Sequence, residues 1–237
     1  MPRHPPAIPL KTAKNHQVRV KRTSTSDFEP RWTIFQCLVW EGDVAGHRYA
    51  LFDQRWFKID DDFYKQLQHD LSQLPSFSVA LPNSTITESE EDYNMRAARN
   101  GPFALLDQKC ISVTGAGSSI EICDLLSASG CFIHVKRKTR SATLSHLFSQ
   151  GTTAAELFLR SGDFRRQARL KLRRQPRFSG QFTDGRPDPS KFEIAYAVIA
   201  KAGPRRALPF FSRVNLRQAA ERLSTFGYKV SFGFIDC

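Results

Sequence analysis

Asp124, His134 and Lys136 stand inside one short stretch, SSIEICDLLSASGCFIHVKRK (118–138), whose other positions are mostly apolar. Apolar runs on either side of a SASG turn predict two buried strands in a hairpin. Side chains alternate faces along a strand, so His134 and Lys136 share one face while Ile133 and Val135 point into a core. The turn brings Asp124 beside His134 on the neighbouring strand. Glu90 and Glu91 open a helix expected over 88–100 and reach toward the same spot, and Gln150 lies in a helix expected over 141–162. Carboxylates bind Mg²⁺, a hard, oxygen-seeking ion. Such an ion acidifies water and neutralises charge on a phosphoryl transition state, and a nearby ammonium stabilises the same charge. The expected cofactor is therefore a divalent metal, Mg²⁺ or Mn²⁺, on Glu90, Glu91, Asp124 and His134, with Asp124, His134 and Lys136 as the catalytic set. A neutral imidazole among the ligands moves preference toward Mn²⁺, Zn²⁺ or Fe. Glu121, three residues before Asp124, falls on the opposite face of a continuous strand and stays outside the expected site. The same polar groups also fit an ion-pair network on a solvated sheet face.

Around this hairpin the chain alternates helices and strands. A helix is expected over DDDFYKQLQHDLSQL, with acids in its first turn and Phe63, Leu67 and Leu71 on one face. A strand is expected over 109–114, another over 119–126 and a third over 131–139. The helix over 141–162 carries an interrupting Gly151, and His146 in it reads as structural. KFEIAYAVIA (191–200) reads as a buried strand, 214–227 as an amphipathic helix ending at Gly227, and 228–236 as a last strand. RWTIFQCLVWEGDVAGHRYALFDQRWFKI reads as two strands around an EGD turn, with more β character after it. This order implies an α/β or α+β layer fold, a central mixed sheet covered by helices. The expected division is a flexible basic arm over 1–30, a β-hairpin plus helix extension over 31–82, and a core domain over 83–237.

The chain has 237 residues and a net charge of +12, a balance that favours polyanionic partners, DNA ahead of RNA. The run 160–178 concentrates the excess, and Arg165, Arg166, Arg169, Lys171, Arg173 and Arg174 are the expected phosphate contacts, with Arg137, Lys138 and Arg140 extending them. Phe164, Leu170, Leu172 and Phe178 are interleaved with these charges. Five cysteines without a CxxC pair exclude a disulfide framework or zinc finger and imply reduced thiols in the cytoplasm. No apolar run is long enough to cross a bilayer, so no membrane partner is expected, and self-association is left open.

An acid on one strand, a tight turn, then a site residue two before a lysine on the next strand resembles the PD-(D/E)XK nuclease superfamily. The helix–strand–strand–strand–helix–strand order resembles its restriction-endonuclease-like core. The resemblance implies metal-dependent phosphodiester hydrolysis, with Asp124 as metal acid, Lys136 as motif lysine, Glu90 or Glu91 as the first-helix acid and Gln150 as the supporting glutamine. His134 departs from the pattern, standing where the superfamily carries Asp or Glu. The blocks IEICDLL, FIHVKR, LSHLFSQG and LPFFSRVNLRQAAERLSTFGYKVSFGFI resemble a sporadically distributed bacterial family of unknown function, from about residue 34 to the end. Its members are often found in mobile or defence-type gene neighbourhoods and are usually longer at the N-terminus, which implies a role against foreign DNA and either a short form or a fragment lacking a first domain. The alternatives are an inactive nuclease-like module that binds nucleic acid and a protein-interaction domain for an acidic partner.

Overall fold

The computed structural model describes residues 9–21, 27–108, 110–112, 119–138, 141–203 and 206–237, with the backbone alone at 112 and over 141–143. The chain divides into two compact units, Met1–Gln66 and Leu67–Cys237. The first carries α1 (Leu10–Asn15), β1 (Gln17–Lys21), β2 (Phe28–Thr33), α2 (Ile34–Cys37), β3 (Trp40–Val44), β4 (His47–Phe52) and β5 (Arg55–Lys58). β1 and β2 pair antiparallel, and β3–β4–β5 form a three-stranded meander. The flexible arm expected over 1–30 is corrected where it is described: Val18 and Val20 alternate with Gln17, Arg19 and Lys21, and this period of two makes a strand despite the basic composition. The hairpin expected around Glu41-Gly42-Asp43 turns one step later. Those residues lie inside β3, and the reversals are Ala45-Gly46 and Asp53-Gln54, all four with positive φ, as two-residue hairpin turns require.

The unit boundary falls inside α3 (Asp61–Ser72), where the sequence suggests a division after residue 82. Asp60 caps that helix, its carboxylate accepting from the Asp62 and Phe63 amides at 3.0 and 2.9 Å.

The second unit continues with α4 (Glu90–Asn100), β6 (Phe103–Leu105), β7 (Cys110–Ser112), β8 (Ser119–Glu121), β9 (Leu125–Ser127), β10 (Cys131–Arg137), α5 (Ser141–Arg160), α6 (Gly162–Lys171), α7 (Pro176–Ser179), a 3₁₀ turn at Pro189–Lys191, β11 (Glu193–Ala200), α8 (Phe210–Thr225) and β12 (Lys229–Asp236). Its main sheet runs β6-β9-β10-β11-β12, antiparallel as far as β10 and parallel from there. The expected mixed sheet covered by helices is present, and the class is α+β. β11 is buried at every position because both of its faces are covered. One face packs Phe132, Tyr196 and Val198 against apolar residues of α5 and α8. The other packs Ile133, Val135, Ala195 and Ala197 against Tyr93 and Ala97 of α4. β7 and β8 form a separate two-stranded ribbon.

Two expectations about elements change. The strand expected over 119–126 is β8 and β9 with an irregular link at Ile122–Asp124, and β8 leaves the main sheet for the ribbon. α5 runs unbroken through Gly151, where a Cβ would meet Tyr196 Cε1 at 2.6 Å and His134 Cδ2 at 3.0 Å. The glycine permits close approach of helix to sheet and does not break the helix.

Candidate metal centre

Asp124 is held by its own backbone before its side chain acts. Its N–H donates to the Ile133 carbonyl at 3.0 Å, and its carbonyl accepts from the Leu106 and Asp107 amides at 2.8 and 3.1 Å. The carboxylate accepts from the Val135 amide at 2.6 Å, the donor that an unbroken strand would have paired with a carbonyl. This clamp ties the residue before β9 to β10 and pulls Asp107 alongside.

Asp107, Glu121 and Asp124 each present a carboxylate oxygen, and these oxygens all lie within 4.8 Å of one another. A cation bound at about 2.0–2.6 Å spaces its ligand oxygens about 3–5 Å apart. Each carboxylate also has a fixed partner. Asn94 donates to Asp107 at 3.2 Å, Gln150 donates to Glu121 at 2.5 Å, and the Gln108 amide donates to the other Glu121 oxygen. Gln108 adopts positive φ to aim that amide. Partners of this kind orient metal ligands. Asn94 is fully buried, and its Oδ1 has no hydrogen-bond partner among the described residues.

Electrostatics makes the metal-free cluster costly. Burial pushes the Asp124 carboxyl well above the usual range, the Val135 amide opposes this, and Glu121, Asp107 and Glu90 raise it further. Burial also raises Glu121, with Asp107 adding to the rise and Gln108, Gln150 and Lys136 working against it. A divalent ion would remove this repulsion. Lys136 stands at the edge, its ammonium 2.6 Å from Glu90, whose other oxygen accepts from the Arg137 amide at 2.9 Å. α4 therefore delivers Glu90 to β10 with Ser89 as its cap.

Of the residues expected at the site, the structure gathers Asp124, Lys136, Glu90 and Gln150 around one cluster. Glu91 is exposed on α4. His134 is 1% exposed and sits between Tyr196 and Gly151 on the α5 side of the sheet. Burial alone lowers its pKa to about 4, and its Nε2 has no described partner. Its expected place among the ligands is corrected: the carboxylate cluster is Asp107, Glu121 and Asp124. Strand alternation keeps Glu121 out of the site, and it fails here because 122–124 is not a strand. Asp107 carries no sequence signal, since only the Asp124 backbone clamp brings it in.

The expected phosphate contacts separate into two groups. Arg165 is 4% exposed and donates to the carbonyls of Phe158, Leu159, Thr183 and Asp184, so it fastens a loop to α6. Arg137 donates to Ser84 and to the Thr85 carbonyl, and Lys138 to the Ala207 carbonyl. Arg169 bonds Asp184 and the Phe182 carbonyl, and Arg166 pairs with Asp163 at 2.6 Å. Arg166, Lys171, Arg173 and Arg174 are exposed, and Arg140 lies outside the described residues. Phe164, Leu172 and Phe178 are core residues, while Leu170 is 58% exposed.

Residues 2–236 match the model of a family of unknown function, DUF6119, and the chain belongs to that family. Comparison with the curated proteins and with the solved structures finds no match. No helix among the described residues is long and apolar enough to cross a membrane.

Proposed function

We propose that this DUF6119 member is a divalent-metal-dependent nuclease acting on DNA. The observation that carries the reading is the set of three oriented carboxylates within 4.8 Å, one of them buried. The donors are all oxygen, which favours Mg²⁺ or Mn²⁺ over softer ions. Buried Asn94 donates to Asp107 and orients that carboxylate. The ion would be held by Asp107, Glu121 and Asp124, and when bound it supplies Lewis acidity and an acidified water. Lys136 would neutralise charge on the phosphoryl group, with Glu90 setting its position.

The succession α4, β6, β9, β10, α5, β11 supports a PD-(D/E)XK-like core. Asp124 precedes the second of its strands, Lys136 lies in the third, and Glu90 and Gln150 lie in its helices. Glu121 supplies the carboxylate that His134 does not. The net charge of +12 and the exposed Lys171, Arg173 and Arg174 suit a phosphate backbone.

The test incubates the purified chain with plasmid, single-stranded DNA and RNA in Mg²⁺, Mn²⁺ or EDTA, beside Asp124→Asn and Lys136→Ala. The expected result is metal-dependent cleavage of DNA by the wild type alone, with Mn²⁺ binding retained in Lys136→Ala. Salt-sensitive DNA binding without cleavage in any metal would replace the enzyme with a binding module. The closed Lys136–Glu90 ion pair is the observation that favours that second reading.

A further inference from the structure

Of the cluster, Glu121 lines a cleft of about 250 Å³ whose wall also includes Gln150, His146, Ser149 and Thr153. The last four belong to α5 at positions i+4, i, i+3 and i+7 counted from His146, which places them on one stripe of the helix. The buried side of the same helix is made by Leu144, Leu147, Phe148, Ala154, Ala155 and Phe158. Gln150 is committed to Glu121. His146, Ser149 and Thr153 are exposed, and none of their side chains has a hydrogen-bond partner among the described residues. A solvent-facing helix stripe usually carries Lys, Glu or Arg. Between His146 and Thr153 this one carries no lysine, arginine, aspartate or glutamate, and Gln150 within it bonds the cluster carboxylate Glu121.

We propose that His146, Ser149 and Thr153 seat the sugar-phosphate backbone of the strand being cut, next to the scissile group. The inference rests on the nuclease reading and adds where the substrate lies. Hydroxyls and ring N–H groups donate to phosphate oxygens, and no lysine or arginine on the stripe competes with the metal for the carboxylates. The stripe spans about 10 Å at a rise of about 1.5 Å per residue. That is about three nucleotide steps at a rise of about 3.4 Å per strand. One helix thus carries the side chain that orients Glu121 and the groups that align the strand with it.

The test measures anisotropy of a fluorescein-labelled single-stranded oligonucleotide in Mg²⁺, on the Lys136→Ala chain to prevent cleavage. Adding His146→Ala, Ser149→Ala and Thr153→Ala is expected to weaken binding about tenfold or more, while Mn²⁺ binding by electron paramagnetic resonance and the melting temperature stay unchanged. The hydroxyl-retaining pair Ser149→Thr and Thr153→Ser, with His146 intact, is expected to keep the parent affinity, which separates lost contacts from a disturbed helix. Unchanged affinity in the triple variant overturns the proposed seat and leaves the nuclease reading standing. A parent chain that binds no oligonucleotide at all overturns both.

Discussion

Replacing Asp124 with asparagine separates the two demands that the fold places on this residue. The backbone clamp on Ile133, Leu106 and Asp107 is untouched, and an asparagine Oδ1 still accepts from the Val135 amide. Only the charge is lost. In the metal-free chain that charge is a burden, because burial first and then Glu121, Asp107 and Glu90 raise the Asp124 pKa. A carboxyl raised on folding binds its proton more tightly in the native state. Its contribution to stability is therefore complete below the unfolded value and is lost as pH rises through the folded one. Each unit of the rise is worth about 1.4 kcal/mol. In EDTA, Asp124→Asn is expected to be at least as stable as the wild type at pH 7, with a margin that grows as pH climbs out of the ordinary carboxylate range. Metal reverses the order. At a free ion concentration about 100 times Kd, the wild type gains about 2.7 kcal/mol. At about 2–4 °C per kcal/mol for a chain of this size, the melting temperature rises about 5–11 °C. The variant gains nothing. Calorimetric melts of both proteins from pH 5 to 8, in EDTA and in Mg²⁺ or Mn²⁺ series, check this. A wild-type melting temperature indifferent to both ions refutes the metal centre. A metal-free variant about 3 kcal/mol less stable than the wild type at pH 7 refutes the electrostatic argument.

Burial holds His134 neutral with a pKa of about 4, so its contribution is complete above the unfolded value near 6.5 and is lost as pH falls toward 4. His134→Gln is expected to flatten the acid limb of the stability curve by about 3 kcal/mol, read by urea titration at pH 4 and pH 7.5. Gly151→Ala is expected to destabilise by about 1–3 kcal/mol despite its better helix propensity, since the new methyl meets the buried Tyr196 ring at 2.6 Å; an equal or raised melting temperature would contradict the packing. Changing Lys171, Arg173 and Arg174 together to alanine is expected to lessen the slope of log affinity against log salt by about two to three on duplex DNA, with little change in melting temperature; an unaltered slope removes this surface from the DNA path.

Much of the second unit's framework follows from local pattern. The apolar run 194–200 of β11, the capped and periodic helices, and the strand–turn–strand around SASG are properties of neighbouring residues, and α4, β10, α5, β11, α8 and β12 appear where that pattern places them. Lys136, Glu90 and Gln150 were legible because each sits at a definite place on such an element, and Asp124 because it borders β9. The ligand set was not. Strand alternation put Glu121 on the far face, yet Asp124 takes the Val135 amide with its side chain, ends the alternation, and frees β8 to turn Glu121 inward. Asp107 enters only because its amide bonds the Asp124 carbonyl. His134 obeys alternation and for that reason faces Tyr196 and Gly151. The fate of the arginines was equally hidden: Arg165 and Arg166 are adjacent in a basic run, but the helix turn between them sends one guanidinium into a nest of four carbonyls and leaves the other exposed, paired with Asp163. Local pattern decides which segments become strands and helices. Which side chains meet is decided by irregular links and buried hydrogen bonds, and those exist only once distant segments have packed together.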